Sequence, residues 1–91
     1  MILLLARHKV LDTEAFLVGY KDEKASSLRE KFGVKDESAW KTIHEENDVL
    51  VMHKFESEDQ ANAFLEADEL KDMMKELGVI EEPSLQIFSS L

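Results

Sequence analysis

Residues 2–10, ILLLARHKV, run apolar before polar positions begin to alternate in, which reads as a central β-strand bounded by Asp12-Thr13. Asp12 or Thr13 is suited to cap the helix that follows. In that helix Phe16, Leu17, Tyr20, Leu28 and Phe32 recur at near-helical spacing, up to Gly33 at the C′ position. Two strand-length segments come next, 39–46 (AWKTIHEE) and 49–55 (VLVMHKF), parted by Asn47-Asp48. Together they predict a β-hairpin whose loop is roughly two to four residues long. Ser57 with Gln60 three residues on is a capping box ahead of the apolar stripe Phe64, Ala67, Leu70, Met74 and Leu77. A second helix therefore starts there and ends at Gly78. Asp68 is placed to recap it midway, which would divide residues 58–78 into two helices. Beyond Pro83, SLQIFSSL closes the chain as a last strand.

The order β-α-β-β-α-β predicts an α+β, ferredoxin-like fold over residues 1–91 as a single domain: a four-stranded antiparallel sheet with the helices on one face. Strands such as ILLLA and VLVM are apolar on both faces, so the face without helices needs its own cover. A chain of 91 residues buries only about 60–65% of the surface its unfolded form exposes. Both arguments point to a homodimer that closes the open sheet face against a second copy.

Charge changes the picture of what else the surface can meet. The net charge is −9, and residues 46–91 carry three Lys/Arg against twelve Asp/Glu, whereas residues 1–45 carry eight of each. Such a surface repels phosphate backbones, so nucleic acid is excluded as a partner. The opening MILLL is too short for a membrane span and lacks the flanks of a signal peptide. With no cysteine, disulfides, thiolate metal sites and a Cys nucleophile are excluded, and the expected location is the cytoplasm.

The stretches LLARHKVLDTEAF (4–16), ENDVLVMHKFESEDQANAFLEADELKDMMKELGV (46–79) and PSLQIF (83–88) resemble the dimeric α+β-barrel superfamily of antibiotic-biosynthesis-monooxygenase-like proteins, in its small stand-alone members. The resemblance implies two sheets closed into a barrel, with a small pocket in each subunit between sheet and helices. The activities it spans include cofactor-free monooxygenation, cyclisation and lactone isomerisation, haem degradation and regulatory ligand binding, so fold does not name the reaction. Haem chemistry does not carry over: no Asn lies in the first strand or first helix, and Trp40 does not align with the Trp of the haem-degrading set.

The candidate chemistry rests on histidines. His8 and His53 interrupt apolar strands, where an imidazole must find a partner, and a neutral imidazole near its ordinary pKa of about 6.5 suits proton transfer from a phenol or enol. These two are the candidate catalytic residues. A two-residue turn at Asn47-Asp48 would set Glu46 opposite Val49, His44 opposite Val51 and Trp40 opposite Phe55. Trp40, His44, His53 and Phe55 would then share a face, with Tyr20 as a further ligand-binding residue; a three-residue loop would separate His44 from His53. Two diagonal histidines fall short of the three protein ligands of a catalytic zinc, so neither a metal nor another cofactor is expected. Arg7, Lys9 and Lys54 are read as strand-end residues with their charged heads in water or paired with acidic residues across the dimer, the functional alternative being recognition of a carboxylate or enolate ligand. Nor is there a Gly-rich phosphate loop or a Ser nucleophile elbow.

The expected protein is a homodimer that binds, or binds and converts, a small hydrophobic or aromatic metabolite. The competing expectation is a non-catalytic dimerisation or ligand-sensing module in which the histidines are structural. A cavity beside His8 or His53 favours the first.

Overall fold

The computed structural model describes residues 1–91. Its elements are β1 (Ile2–Lys9), α1 (Thr13–Lys21), α2 (Glu23–Lys31), β2 (Asp36–Lys41), β3 (Asp48–Phe55), α3 (Glu58–Glu66), α4 (Asp68–Glu76) and β4 (Ser84–Ser89). The four strands form one antiparallel sheet in the order β2-β3-β1-β4, the ferredoxin-like topology.

The expected single helix over the first helical stretch is instead two. Asp22 leaves the helical region (φ −64°, ψ 151°), and its carboxylate accepts the Glu23 N–H at 2.9 Å, so the side chain that ends α1 also caps α2. At the other helical stretch the division into α3 and α4 falls as expected, with a different cap. Ala67 occupies the junction without a side-chain bond, and Asp68 is the first helical residue. Ser57 does cap α3, accepting the Gln60 N–H at 3.3 Å, while the Gln60 side chain returns to the Glu56 N–H at 3.1 Å. Asp12, not Thr13, caps α1. Gly33 and Gly78 end their helices with φ of +84° and +81°, where a Cβ would be strained.

The hairpin is the larger correction. β2 lies at 36–41 rather than 39–46, and the connection spans residues 42–47. Trp40 therefore pairs with Leu50 and Glu37 with His53. Asp48 is a strand residue because its fully buried carboxylate accepts from Arg7 Nε at 3.0 Å and from the Thr42 hydroxyl at 3.1 Å. Asn47 takes the left-handed turn position (φ 59°), its carbonyl accepts the Val10 N–H at 2.9 Å, and its side chain accepts the Thr13 N–H at 3.1 Å. The dipeptide thus fastens the loop to the end of β1 instead of making the turn itself.

Strand alternation gives the sheet two distinct faces. Toward the helices it turns Leu4, Ala6 and His8 from β1 and Val49, Val51, His53 and Phe55 from β3, all buried. Two apolar clusters form there, one around Leu4, Leu28, Phe55 and Phe64, the other around Phe16, Tyr20, Val49 and Val51. Away from the helices it turns Leu3, Leu5, Leu50 and Met52, half-buried, with Trp40 and Phe88 exposed. On β4 the helix-side residues Leu85 and Ile87 stay exposed, so the sandwich is open along that edge. No helix is long and apolar enough to cross a membrane.

Candidate functional site

Between the helix-covered sheet face and the helices lies a cavity of about 680 Å³. Its floor is Leu4, Ala6, His8, Val51 and His53, and its walls come from all four helices, with Met73 and Met74 among them. It opens beside Lys71, Lys75, Ile80, Glu81, Glu82 and Leu85, at the edge that β4 leaves uncovered. A mostly apolar cleft of this size, with a few convergent polar groups, is the usual form of a small-molecule site.

The polar groups stand along a row of rings. His8 to Phe16, Phe16 to Tyr20, Tyr20 to His53 and His53 to Phe64 have centroids 6.1, 5.8, 6.1 and 5.5 Å apart. The Tyr20 hydroxyl and His53 Nε2 share a hydrogen bond of 3.0 Å. The His8 ring makes no hydrogen bond to any protein group. Its Nδ1 is fully buried, so the ring meets the cavity by its other edge. A buried imidazole without a partner carries an uncompensated desolvation cost unless a ligand supplies the bond.

Electrostatics follow from that burial. Desolvation pushes His8 down to about 4. His53 is also lowered to about 4, first by burial and then by the positive charge of Arg29 and by His8. Both imidazoles are neutral at pH 7. Burial raises the Tyr20 phenol to about 12, against the pull of Arg29 and with a further push from Glu37. The wall can therefore give and accept hydrogen bonds, and its neutral imidazoles can take a proton from a more acidic ligand group, the phenol remaining protonated.

Of the residues expected from sequence, the cavity brings together His8, His53 and Tyr20. Trp40 stands on the opposite sheet face, His44 is exposed in the 42–47 loop, and Phe55 is sealed in the core outside the cavity. The physical reason is the hairpin register: the longer loop shifts β2, which turns Trp40 outward and takes His44 off the sheet. Arg7 and Lys9 pair with Asp48 and Glu45, and Lys54 lies 3.8 Å from Asp36, all away from the cavity. No group of three or more His, Asp or Glu side chains is arranged to hold a metal.

Two residues escaped the sequence reading. Arg29 is buried with its guanidinium carbon 3.9 Å above the Tyr20 ring, and its Nη2 donates to the Tyr20 carbonyl at 2.7 Å. Glu37 forms an ion pair with Arg29 Nε from β2. The signal for Arg29 was present: at i+4 from Ala25 and next to Leu28 it is a charge on the apolar stripe of its helix. The break at Asp22 makes the contact possible, because in one continuous helix Tyr20 and Arg29 would stand about 13–14 Å apart along the axis.

No family model matches the chain, and no curated protein matches it by sequence. Solved structures do. A candidate antibiotic biosynthesis monooxygenase from Caulobacter crescentus superposes with a TM-score of 0.77 at 16% identity, covering 99% of this chain and 89% of that one. SnoaB, a cofactor-independent oxygenase from Streptomyces nogalater, gives 0.76 at 11% identity over 99% and 92%. A candidate antibiotic biosynthesis monooxygenase from Nitrosomonas europaea gives 0.75 at 14% identity over 100% and 99%. The chain has, over its full length, the fold of the antibiotic-biosynthesis-monooxygenase-like proteins.

Proposed function

We propose that this protein is a cytoplasmic homodimer that binds a small hydrophobic or aromatic metabolite in the cavity of each subunit and transforms it by imidazole-mediated proton transfer. The observation that carries the reading is His8: a neutral imidazole without a protein partner, on the floor of an apolar cavity of about 680 Å³ that also contains the Tyr20–His53 pair. A ligand phenol or enol strongly acidified by conjugation to carbonyl groups would meet His8, lose its proton to the ring nitrogen, and leave an electron-rich phenolate or enolate whose charge the imidazolium offsets. From that anion, oxygenation by dioxygen, cyclisation or isomerisation can proceed. The shared fold with SnoaB, named a cofactor-independent oxygenase, supports this choice among reaction classes.

The homodimer is supported by the bare sheet face, where Leu3, Leu5, Leu50 and Met52 are joined by exposed Trp40 and Phe88. An apolar area of this kind is covered in stable soluble proteins. Light scattering should return twice the mass of one chain at micromolar concentration; a one-chain mass counts against the dimer.

Binding is tested by calorimetry with a panel of small phenols and enolisable ketones. His8→Gln should weaken the best binder by roughly tenfold. Product analysis by mass spectrometry then separates a converting enzyme from a ligand-sensing module, which returns its ligand unchanged. Failure of every apolar ring compound to bind would remove the reading.

A further inference from the structure

Three residues on the cavity wall, Tyr20, Arg29 and His53, are linked to one another and to Glu37 behind them. Glu37 is the direct cross-strand partner of His53 on the helix side of the sheet. Its carboxylate is ion-paired to Arg29, Arg29 lies 3.9 Å above the Tyr20 ring and donates to the Tyr20 carbonyl, and the Tyr20 hydroxyl returns to His53 Nε2 at 3.0 Å. Glu37 is partly exposed, whereas Arg29 is nearly sealed, so the pair runs from the edge strand into the interior.

Cross-strand neighbours on one face have Cβ atoms about 4.5–5.5 Å apart, close enough for a carboxylate to capture an imidazole as imidazolium. In this molecule the carboxylate is engaged elsewhere. We propose that Arg29 is a positioning residue that keeps His53 neutral and bonded to Tyr20, by holding the Glu37 carboxylate and by setting its own positive charge beside the imidazole. This rests on the reading of the cavity as a proton-transfer site: a histidine already protonated at neutral pH has no base to offer.

The surroundings of His53 leave few other controls. From β1 it has His8 for a neighbour, itself neutral and with its ring unpartnered. From α1 comes Tyr20, from α2 Arg29, and from β2 Glu37. α3 contributes Phe64, edge-on at 5.5 Å and without charge. From α4, Lys71 and Lys75 line the same cavity, and neither is in an ion pair. Glu81 and Glu82 line it with them, so charges of both signs meet at the mouth. Glu37 is the carboxylate set in register beside His53 on the helix side of the sheet, and Arg29 occupies it.

The experiment is nitrogen-15 NMR of the imidazoles in the ligand-free protein at about pH 6, half a unit below the ordinary histidine value of about 6.5. His53 is assigned by its absence in His53→Gln. In the parent it should be neutral. Arg29→Gln should raise the imidazolium fraction of His53 measurably above the parent's, and Arg29→Met, which keeps the apolar stem packed, should do the same. Arg29→Gln combined with Glu37→Gln should restore the neutral ring. A purely structural Arg29 would lower stability and leave the folded-state imidazole spectrum unchanged, and that result overturns the proposal. So does a double variant that stays protonated, since the charge then does not come from Glu37. No ligand is needed, so the outcome stands apart from whether any metabolite binds or is converted.

Discussion

The two faces of one sheet handle their polar groups in opposite ways. Toward the helices, β1 and β3 present His8 and His53 as neutral imidazoles, because burial is the largest influence on each and no carboxylate is free to pair with them. Toward the open side, the same two strands present Arg7, Lys9 and Asp48 as a cluster of full charges, with Glu45 added from the loop. There Asp48 is held well below the usual carboxylate range, first by the Arg7 hydrogen bond. Strand register alone decides which treatment a residue receives, since His8 lies between Arg7 and Lys9 in the chain. Where water reaches the partner, ionisation survives; where the helices exclude it, only the neutral form is tolerated.

The contrast is broken most severely by cavity creation on the covered face. Phe55 is completely buried, and Phe55→Ala should cost about 3–5 kcal/mol in chemical denaturation. Trp40→Ala on the other face should change the stability of the isolated chain by less than about 0.5 kcal/mol, while shifting the mass in solution toward one chain.

Acid separates the faces by pH. Between about 6.5 and 4 the unfolded chain binds protons at His8 and His53 that the folded chain does not, so stability falls as pH is lowered through that window. At full effect the loss is roughly 3 kcal/mol for each imidazole. Asp48, with its folded value depressed, contributes stability that is complete above the ordinary carboxylate range and is lost only below it. His8→Gln combined with His53→Gln should flatten the denaturation midpoint between pH 6.5 and 4 and leave the later loss in place. A double variant that keeps the full slope in that window would place the acid sensitivity elsewhere.

Smaller still is Asp48→Ala, which leaves Arg7 free to turn to water and should cost about 1–3 kcal/mol. Its signature is local: amide exchange should quicken at Thr42, whose N–H donates to the Asp48 carbonyl, and at Val10, which donates to Asn47.

The element order was legible because each element carries its own local signal. ILLLA is a strand by apolar run, Ser57 and Gln60 mark a helix start, and Gly33 and Gly78 mark ends. The hairpin register was not, since the loop of roughly two to four residues expected at Asn47-Asp48 gives way to residues 42–47 through a long-range event, the burial of Asp48 under Arg7 from another strand. Of the site, His8, Tyr20 and His53 were legible as polar residues at apolar positions. Arg29 and Glu37 belong to it through tertiary geometry: a helix break at Asp22 and a shifted strand bring together residues whose spacing in the chain says nothing of their contact. A charge on an apolar helical stripe was the single local hint.

The placement of the aromatic residues has a practical corollary. The chain has one tyrosine and one tryptophan, and the sheet separates them, Tyr20 at the cavity and Trp40 on the bare face. The molecule thus contains two independent optical reporters: indole emission follows what happens to the outer surface, and phenol absorbance follows what enters the interior. Assembly and occupancy can be watched in one cuvette without attaching a dye.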